Sequence, residues 1–298
     1  MRAIVVGAVE GTRVALEAIA SARDWAVVGL VTLPPELAGR HSDFVDVAQA
    51  APPGCEVIPA PNCNDPAVVE QVRALRPDLL FVIGWSQICR EPLLGAAPLG
   101  AVGFHPAPLP RLRGRAAIPW TILLGEPITA GTLFWIDEGT DTGPILAQRF
   151  FHVGGEETAA SLYARHMGIL RHMLNESLPA IASGSAPRES QDERFATWAA
   201  KRTQEDGRVD WNQPAKAIAR LIRAVGVPYP GAFTGDGTER TILWAAEAWP
   251  EGRSHVAVPG QVVARAEGWF SVMCGDGEAI RVTAFDGAPP KIHSVLGR

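Results

Sequence analysis

The apolar positions along the chain alternate between two periods. Ala3 to Val6 is a short apolar run, Gly7 a turn, and from Thr12 to Ala22 apolar residues recur at helical spacing through Ala15, Ala18, Ile19 and Ala22. Ala26 to Val31 is apolar again, so the chain opens as strand, helix, strand, the pattern of a right-handed parallel unit. Asp65-Pro66 predicts a helix running to Leu75, with the aspartate as N-cap and the proline at the first helical position. Leu79-Leu80-Phe81-Val82-Ile83 is apolar on both faces, as a strand in the middle of a parallel sheet must be. Next come a buried strand ending at His105, a proline loop, a helix from Ala116 to Leu124, a strand from Ile128 to Ile136 and an acidic loop carrying Asp141. Leu162, His166, Ile169, Leu170, Met173 and Leu174 form one stripe of a helix from Thr158 to Ser183, which Pro179 is expected to kink or end early. Beyond Phe195, a helix from Pro214 to Ala224 precedes short alternating strands split by Gly and Pro, the mark of a small barrel.

With 298 residues and 47% hydrophobic content, the chain is expected to fold as one large and one small domain. The predicted class is α/β: a Rossmann-like, mostly parallel sheet over 1–187, a linker over 188–205 and an OB-like β-barrel over 206–298. No run of eighteen apolar residues exists, and Met1-Arg2 leads straight into a strand, so the expectation is a cytoplasmic chain without membrane span or signal peptide. A net charge of -5 gives no general attraction to phosphate backbones. Cys55, Cys63, Cys89 and Cys274 lack CxxC spacing and read as reduced, structural thiols. The first turn, Gly7-Ala8-Val9-Glu10-Gly11, lacks the GxGxxG spacing that seats a pyrophosphate, which argues against a dinucleotide site.

The candidate chemistry lies at 101–148. Ligands of open α/β sheets bind at the carboxyl ends of the strands. The predicted elements put His105 and Asp141 at the same end of two neighbouring strands, and the Gly84-Trp85-Ser86-Gln87 loop on the same crevice. A carboxylate beside an imidazole favours its charged form, so the pair suits proton exchange with an attacking amine and donation to an oxyanion. Trp85 reads equally as a core plug or a cofactor wall. The proline-rich stretch Leu33 to Gly54 suits a surface loop or lid. Arg111, Arg113 and Arg115 form a basic cluster at the predicted cleft mouth, suited to a phosphorylated acceptor or simply to solvent. His166 and His172 have no ligand partners at metal spacing, and no metal site is expected.

His105-Pro106, Leu109-Pro110-Arg111-Leu112-Arg113-Gly114 and Asp141-Thr142-Gly143 resemble the active-site block of the folate-dependent formyltransferases, which include methionyl-tRNA formyltransferase, glycinamide ribonucleotide transformylase and sugar N-formyltransferases. Lys201-Arg202-Thr203, Asp206-Gly207, Asp210-Trp211 and Pro228-Tyr229-Pro230-Gly231-Ala232 resemble the linker and C-terminal domain of members acting on sugar nucleotides. The resemblance implies N10-formyltetrahydrofolate as formyl donor and His105 and Asp141 as catalytic residues. It further implies a pterin held by the loops at Trp85, Ser86, Gln87 and Ile88 and at Asp137, Glu138, Gly139 and Thr140. The family's asparagine falls on Gly103. Its oxyanion role is expected to pass to Gln87, with Ser86 second, or to a water at Gly103. The implied acceptor is a small amine, foremost a nucleotide-linked amino sugar. Hydroxyornithine, methionyl-tRNA and an inactive folate or nucleotide binder stay open, as does a homodimer. Residues 201–298 carry twelve Lys and Arg against eleven acids, a balance that disfavours tRNA.

Overall fold

The computed structural model describes residues 1–235 and 240–297. The chain divides into two compact units, the first of Met1–Ala117, Ile128–His152 and Tyr163–Ala200, the second of Ile118–Pro127, Val153–Leu162 and Lys201–Arg298. This is not the simple cut between 187 and 206 that the sequence suggests. The polar stretch 188–200 belongs to the first unit, where Glu189 bridges to Ile145 and Trp198–Ala199 pairs with Arg113–Gly114.

In chain order, the first unit contains β1 (Arg2–Val6), α1 (Glu10–Ser21), β2 (Ala26–Thr32), β3 (Glu56–Pro59), α2 (Pro66–Ala74), β4 (Leu79–Val82), α3 (Glu91–Leu94), β5 (Ala101–His105) and β6 (Arg113–Gly114). After α4 (Ala117–Leu124) follow β7 (Ile128–Trp135), β8 (Ile145–His152), α5 (Ala159–Ala182) and β9 (Trp198–Ala199). Seven strands form one sheet in the order β3-β2-β1-β4-β5-β7-β8, parallel as far as β5 and antiparallel from β5 to β8. Strand side chains alternate between faces. Leu79, Phe81 and Ile83 therefore join one core with residues of α1 and α5, while Leu80 joins the other with Val68, Val69 and Val72 of α2. Asp65 caps α2 by accepting from Ala67 N at 2.9 Å.

Pro179 does not end α5, which continues to Ala182. A proline inside a helix removes one backbone bond. Buried Leu178 and Ile181, on either side of it, fix the last turns to the core instead. The stretch 33–54 is also more ordered than a loose loop: it holds two 3-10 turns, bonds to Ala8 O through Val45 N, and receives the Tyr163 hydroxyl at Asp43.

The second unit contains α6 (Ala215–Val225), β10 (Ala232–Thr234), β11 (Thr241–Ala248), β12 (Val262–Ala266), β13 (Trp269–Met273) and β14 (Ala279–Asp286). The strands expected to make a small barrel form a five-stranded antiparallel sheet, β10-β11-β14-β13-β12, with Ile218 and Ile222 of α6 buried. Among the described residues, no helix is long and apolar enough to cross a membrane.

Candidate active site

His105 ends β5 and is only 6% exposed. Its Nε2 lies 2.7 Å from the carbonyl oxygen of Leu112. A carbonyl only accepts, so Nε2 carries a hydrogen, and Nδ1 faces Asp141 Oδ2, 3.6 Å away. That separation is too long for a hydrogen bond.

The loops around His105 are held in uncommon conformations. Leu112, Ala116 and Asp141 have φ of 57°, 56° and 55°, in the left-handed region that costs L-residues roughly 1–2 kcal/mol each. Such strain gathers at functional sites and persists only where neighbours enforce it. Thr197 Oγ1 accepts from Leu112 N at 2.9 Å, fixing the carbonyl that His105 uses. Asp141 Oδ2 accepts from Gly114 N at 2.7 Å, and Gln191 Nε2 donates to the carbonyls of Asp141 and Gly143 at 2.8 and 2.7 Å. A side chain on Gly143 would meet Trp135 O at 1.7 Å, so only glycine fits there. Beneath the proline loop, Thr132 Oγ1 donates to Ala107 O at 2.7 Å, and Gln148 Nε2 donates to Leu109 O and Thr132 Oγ1, both at 2.9 Å. Gln191, Thr197, Thr132 and Gln148 are site-forming residues that sequence reasoning missed.

The structure brings His105 and Asp141 together, by a route other than the one expected. β7 runs antiparallel to β5, so its C-terminal Trp135 pairs with Val102 and the two strands do not share a carboxyl end. The loop between β7 and β8 supplies Asp141 instead. Within that loop, Asp137 Oδ1 accepts from Gly139 N and Thr142 Oγ1 at 3.0 and 2.7 Å, leaving Glu138, Gly139 and Thr140 exposed.

Gly103 lies where a side chain would be crowded, Phe134 Cζ standing 2.9 Å from where its Cβ would be. Two further expectations change. Gln87 is not joined to the pair: its Nε2 donates to Pro61 O at 2.8 Å and its Oε1 accepts from Cys63 N at 3.4 Å, so its carboxamide serves the neighbouring loop. Arg113 does not stand at a cleft mouth. It is 1% exposed, with its guanidinium on Gln191 Oε1 and both oxygens of Glu193, whose carboxyl it holds below the ordinary range. The same Gln191 carries Arg113 on one side and the Asp141 loop on the other. Arg111 and Arg115 are exposed, and Arg115 donates to Ser86 O at 3.2 Å.

The Trp85 loop meets the ordered stretch 33–54 at His41, another residue the sequence did not single out. Its Nε2 is 3.1 Å from Ser86 Oγ and its ring tilts over Trp85 with centroids 6.3 Å apart. Burial lowers the His41 pKa, Asp43 opposes this and Arg115 adds to it, so the ring is neutral near neutral pH. Beside the same loop opens a cleft of about 900 Å³ that includes Arg40, Asn62, Asn64, Ser86, Gln87 and Arg90 in its lining. The lining holds two guanidinium groups and no acid.

A formyl transferase model matches residues 2–176, and a formyl transferase C-terminal domain model matches 201–291. The chain belongs to the formyl transferase family. Solved structures place its fold among several formyl transferases and one longer protein. HypX from Aquifex aeolicus, in complex with tetrahydrofolic acid, aligns with a TM-score of 0.69 and 22% identity over 97% of this chain and 44% of its own. The chain therefore spans less than half the length of HypX. An N-formyltransferase from Helicobacter canadensis, in complex with folinic acid and dTDP-3-aminofucose, aligns at 0.68 and 15% identity over 94% and 98% of the two chains. Methionyl-tRNA formyltransferase from Clostridium thermocellum aligns at 0.60 and 19% identity over 83% and 93%.

Proposed function

We propose that this formyl transferase moves a formyl group from N10-formyltetrahydrofolate to the amine of a small acceptor, most simply a nucleotide-linked amino sugar. The observation that carries the reading is the His105 ring, with Nε2 on Leu112 O and Nδ1 facing Asp141 Oδ2, inside a family-matched loop framework. The donor set beside it fits the folate: an acid-free cleft with Arg40 and Arg90 suits its carboxylates, and the loops at Trp85–Ile88 and Asp137–Thr140 suit its ring. The folate supplies, when bound, a formyl carbonyl on nitrogen.

The protein's part is to move a proton and meet charge. His105 Nδ1, when neutral, would take the proton of the attacking amine with Asp141 holding the imidazolium so formed, and would return it to the folate nitrogen as the bond from that nitrogen to the formyl carbon breaks. Positioned acid-base groups of this kind contribute about 10²- to 10⁴-fold. Gly103 has no side chain to meet charge on the formyl oxygen, and Gln87 is engaged elsewhere. Arg111 and Arg115, both exposed, suit an acceptor phosphate. The near-neutral balance of residues 201–298 and the match to the Helicobacter canadensis enzyme over 94% of this chain support a sugar nucleotide over tRNA. The test is to incubate the chain with N10-formyltetrahydrofolate and a panel of dTDP-linked amino sugars, hydroxyornithine and methionyl-tRNA, and to weigh the products. Formyl gain fastest on a dTDP amino sugar is expected; faster gain on methionyl-tRNA, or on none, would overturn the reading.

A further inference from the structure

The loops that follow β3 and β4 are laced together beside the cleft. Besides the two bonds of Gln87, Asn64 Nδ2 donates to Ile88 O at 2.8 Å and Asn64 Oδ1 accepts from Arg90 N at 2.8 Å. Within this lacing the sulfurs of Cys63 and Cys89 stand 3.8 Å apart, both residues buried. The proposed transfer uses neither thiol. Cleft-lining residues flank each cysteine on both sides: Asn62 and Asn64 about Cys63, Ile88 and Arg90 about Cys89. The pair therefore lies one layer beneath an open cleft that a peroxide can enter. Cys63 is the sulfur that ionises first, held below its ordinary pKa by the hydrogen bond from the Cys89 thiol against the opposing effect of burial, while Cys89 is pushed up by the same bond and by burial. The thiolate is the reactive form of a cysteine.

We propose that Cys63 and Cys89 form an oxidisable pair, converted by a peroxide into a disulfide that ties the two loops and weakens folate binding in the cleft. The Cys63 thiolate attacks one peroxide oxygen; an S–O bond forms, the O–O bond breaks, and the departing hydroxide takes up a proton as water. Cys89, losing its proton, then attacks the Cys63 sulfenic sulfur; the S–S bond forms and a second water leaves. Two thiols give up two electrons and two hydrogens, and the peroxide is reduced to two waters. The sulfurs must close from 3.8 Å to about 2.05 Å, drawing together the loops whose Ser86, Gln87 and Ile88 line the cleft. The effect on folate rests on the function proposed above; the cross-link does not.

The experiment treats the full chain with hydrogen peroxide, alkylates the remaining thiols and maps the peptides without reduction. The expected product joins the peptides of Cys63 and Cys89, two hydrogens lighter than their sum, with Cys55 and Cys274 alkylated. Dithiothreitol reverses it, and Cys63→Ser or Cys89→Ala abolishes it. Tetrahydrofolate should bind the oxidised chain about 10-fold more weakly, since misplacement on the scale of 1 Å is costly at such sites. Thiols at 63 and 89 that stay free while Cys55 oxidises would overturn the pairing. A complete cross-link with unchanged tetrahydrofolate affinity would overturn its coupling to the cleft. Cross-linking in a chain whose reduced form binds no tetrahydrofolate would sink the functional reading and uphold the pair.

Discussion

The ring of Phe134 occupies the space that a side chain on Gly103 would need. The two residues face each other across β5 and β7, with Phe134 Cζ 2.9 Å and Ile136 Cδ1 3.3 Å from the position of the missing Cβ. An asparagine at 103 and a phenylalanine at 134 therefore exclude each other. Gly103→Asn should lower stability by about 1–3 kcal/mol in denaturant unfolding, the usual cost of overpacking. Phe134→Ala in the same chain should relieve part of that cost, and a single variant as stable as the parent contradicts this packing.

Gln87 holds the loop after β4 to the loop after β3. Gln87→Ala should weaken tetrahydrofolate binding several-fold while leaving kcat within about 3-fold, because the lost bonds position the cleft rather than meet transition-state charge. A fall in kcat of about 100-fold at unchanged affinity would restore Gln87 as an oxyanion donor.

Gln191 links Arg113 to the Asp141 loop. Gln191→Ala removes both carbonyl contacts and should reduce turnover by about 10- to 100-fold, as expected when a catalytic group drifts by an ångström. Gln191→Glu cannot donate to those carbonyls and should fare no better. Turnover within about 2-fold of the parent in both variants would remove Gln191 from the positioning network.

What the sequence made legible is local. His105 at the end of an apolar strand, the stiff proline loop, the Asp141 turn and the N-cap at Asp65 are all encoded within a few residues. The direction of β7 is not, because a period-two pattern reads the same in either orientation. Arg113 looks like a loop charge until residues 191 and 193 fold back over it, some eighty positions away in sequence. Gln191, fifty residues from Asp141, sits in a polar run with no periodic signal at all. The elements were readable, whereas the clamp around His105 and Asp141 is a product of tertiary pairing between β6 and β9.

His166 gives the fold an acid sensitivity. It is fully buried, edge-on to Phe151 at 5.0 Å, and burial, with smaller contributions from His105 and Arg165, lowers its pKa to about 3. The unfolded chain takes up the proton near pH ~6.5, while the folded chain refuses it until about pH 3. Stability is therefore complete above about pH 6.5 and falls as pH drops toward 3, by up to about 1.4 kcal/mol per pH unit. His166→Met should flatten the acid limb of a plot of unfolding free energy against pH. An unchanged acid limb would contradict the assignment.

In the proposed transfer His105 Nδ1, backed by Asp141, carries the proton. The most direct measurement compares formyl transfer and tetrahydrofolate binding for the parent, His105→Ala and Asp141→Asn with one accepted amine. Both variants should lose turnover by about 10²- to 10⁴-fold while tetrahydrofolate affinity stays within a few-fold, since both residues act on charge that develops during reaction. Turnover within about 10-fold of the parent in His105→Ala, with folate still bound, would contradict the account.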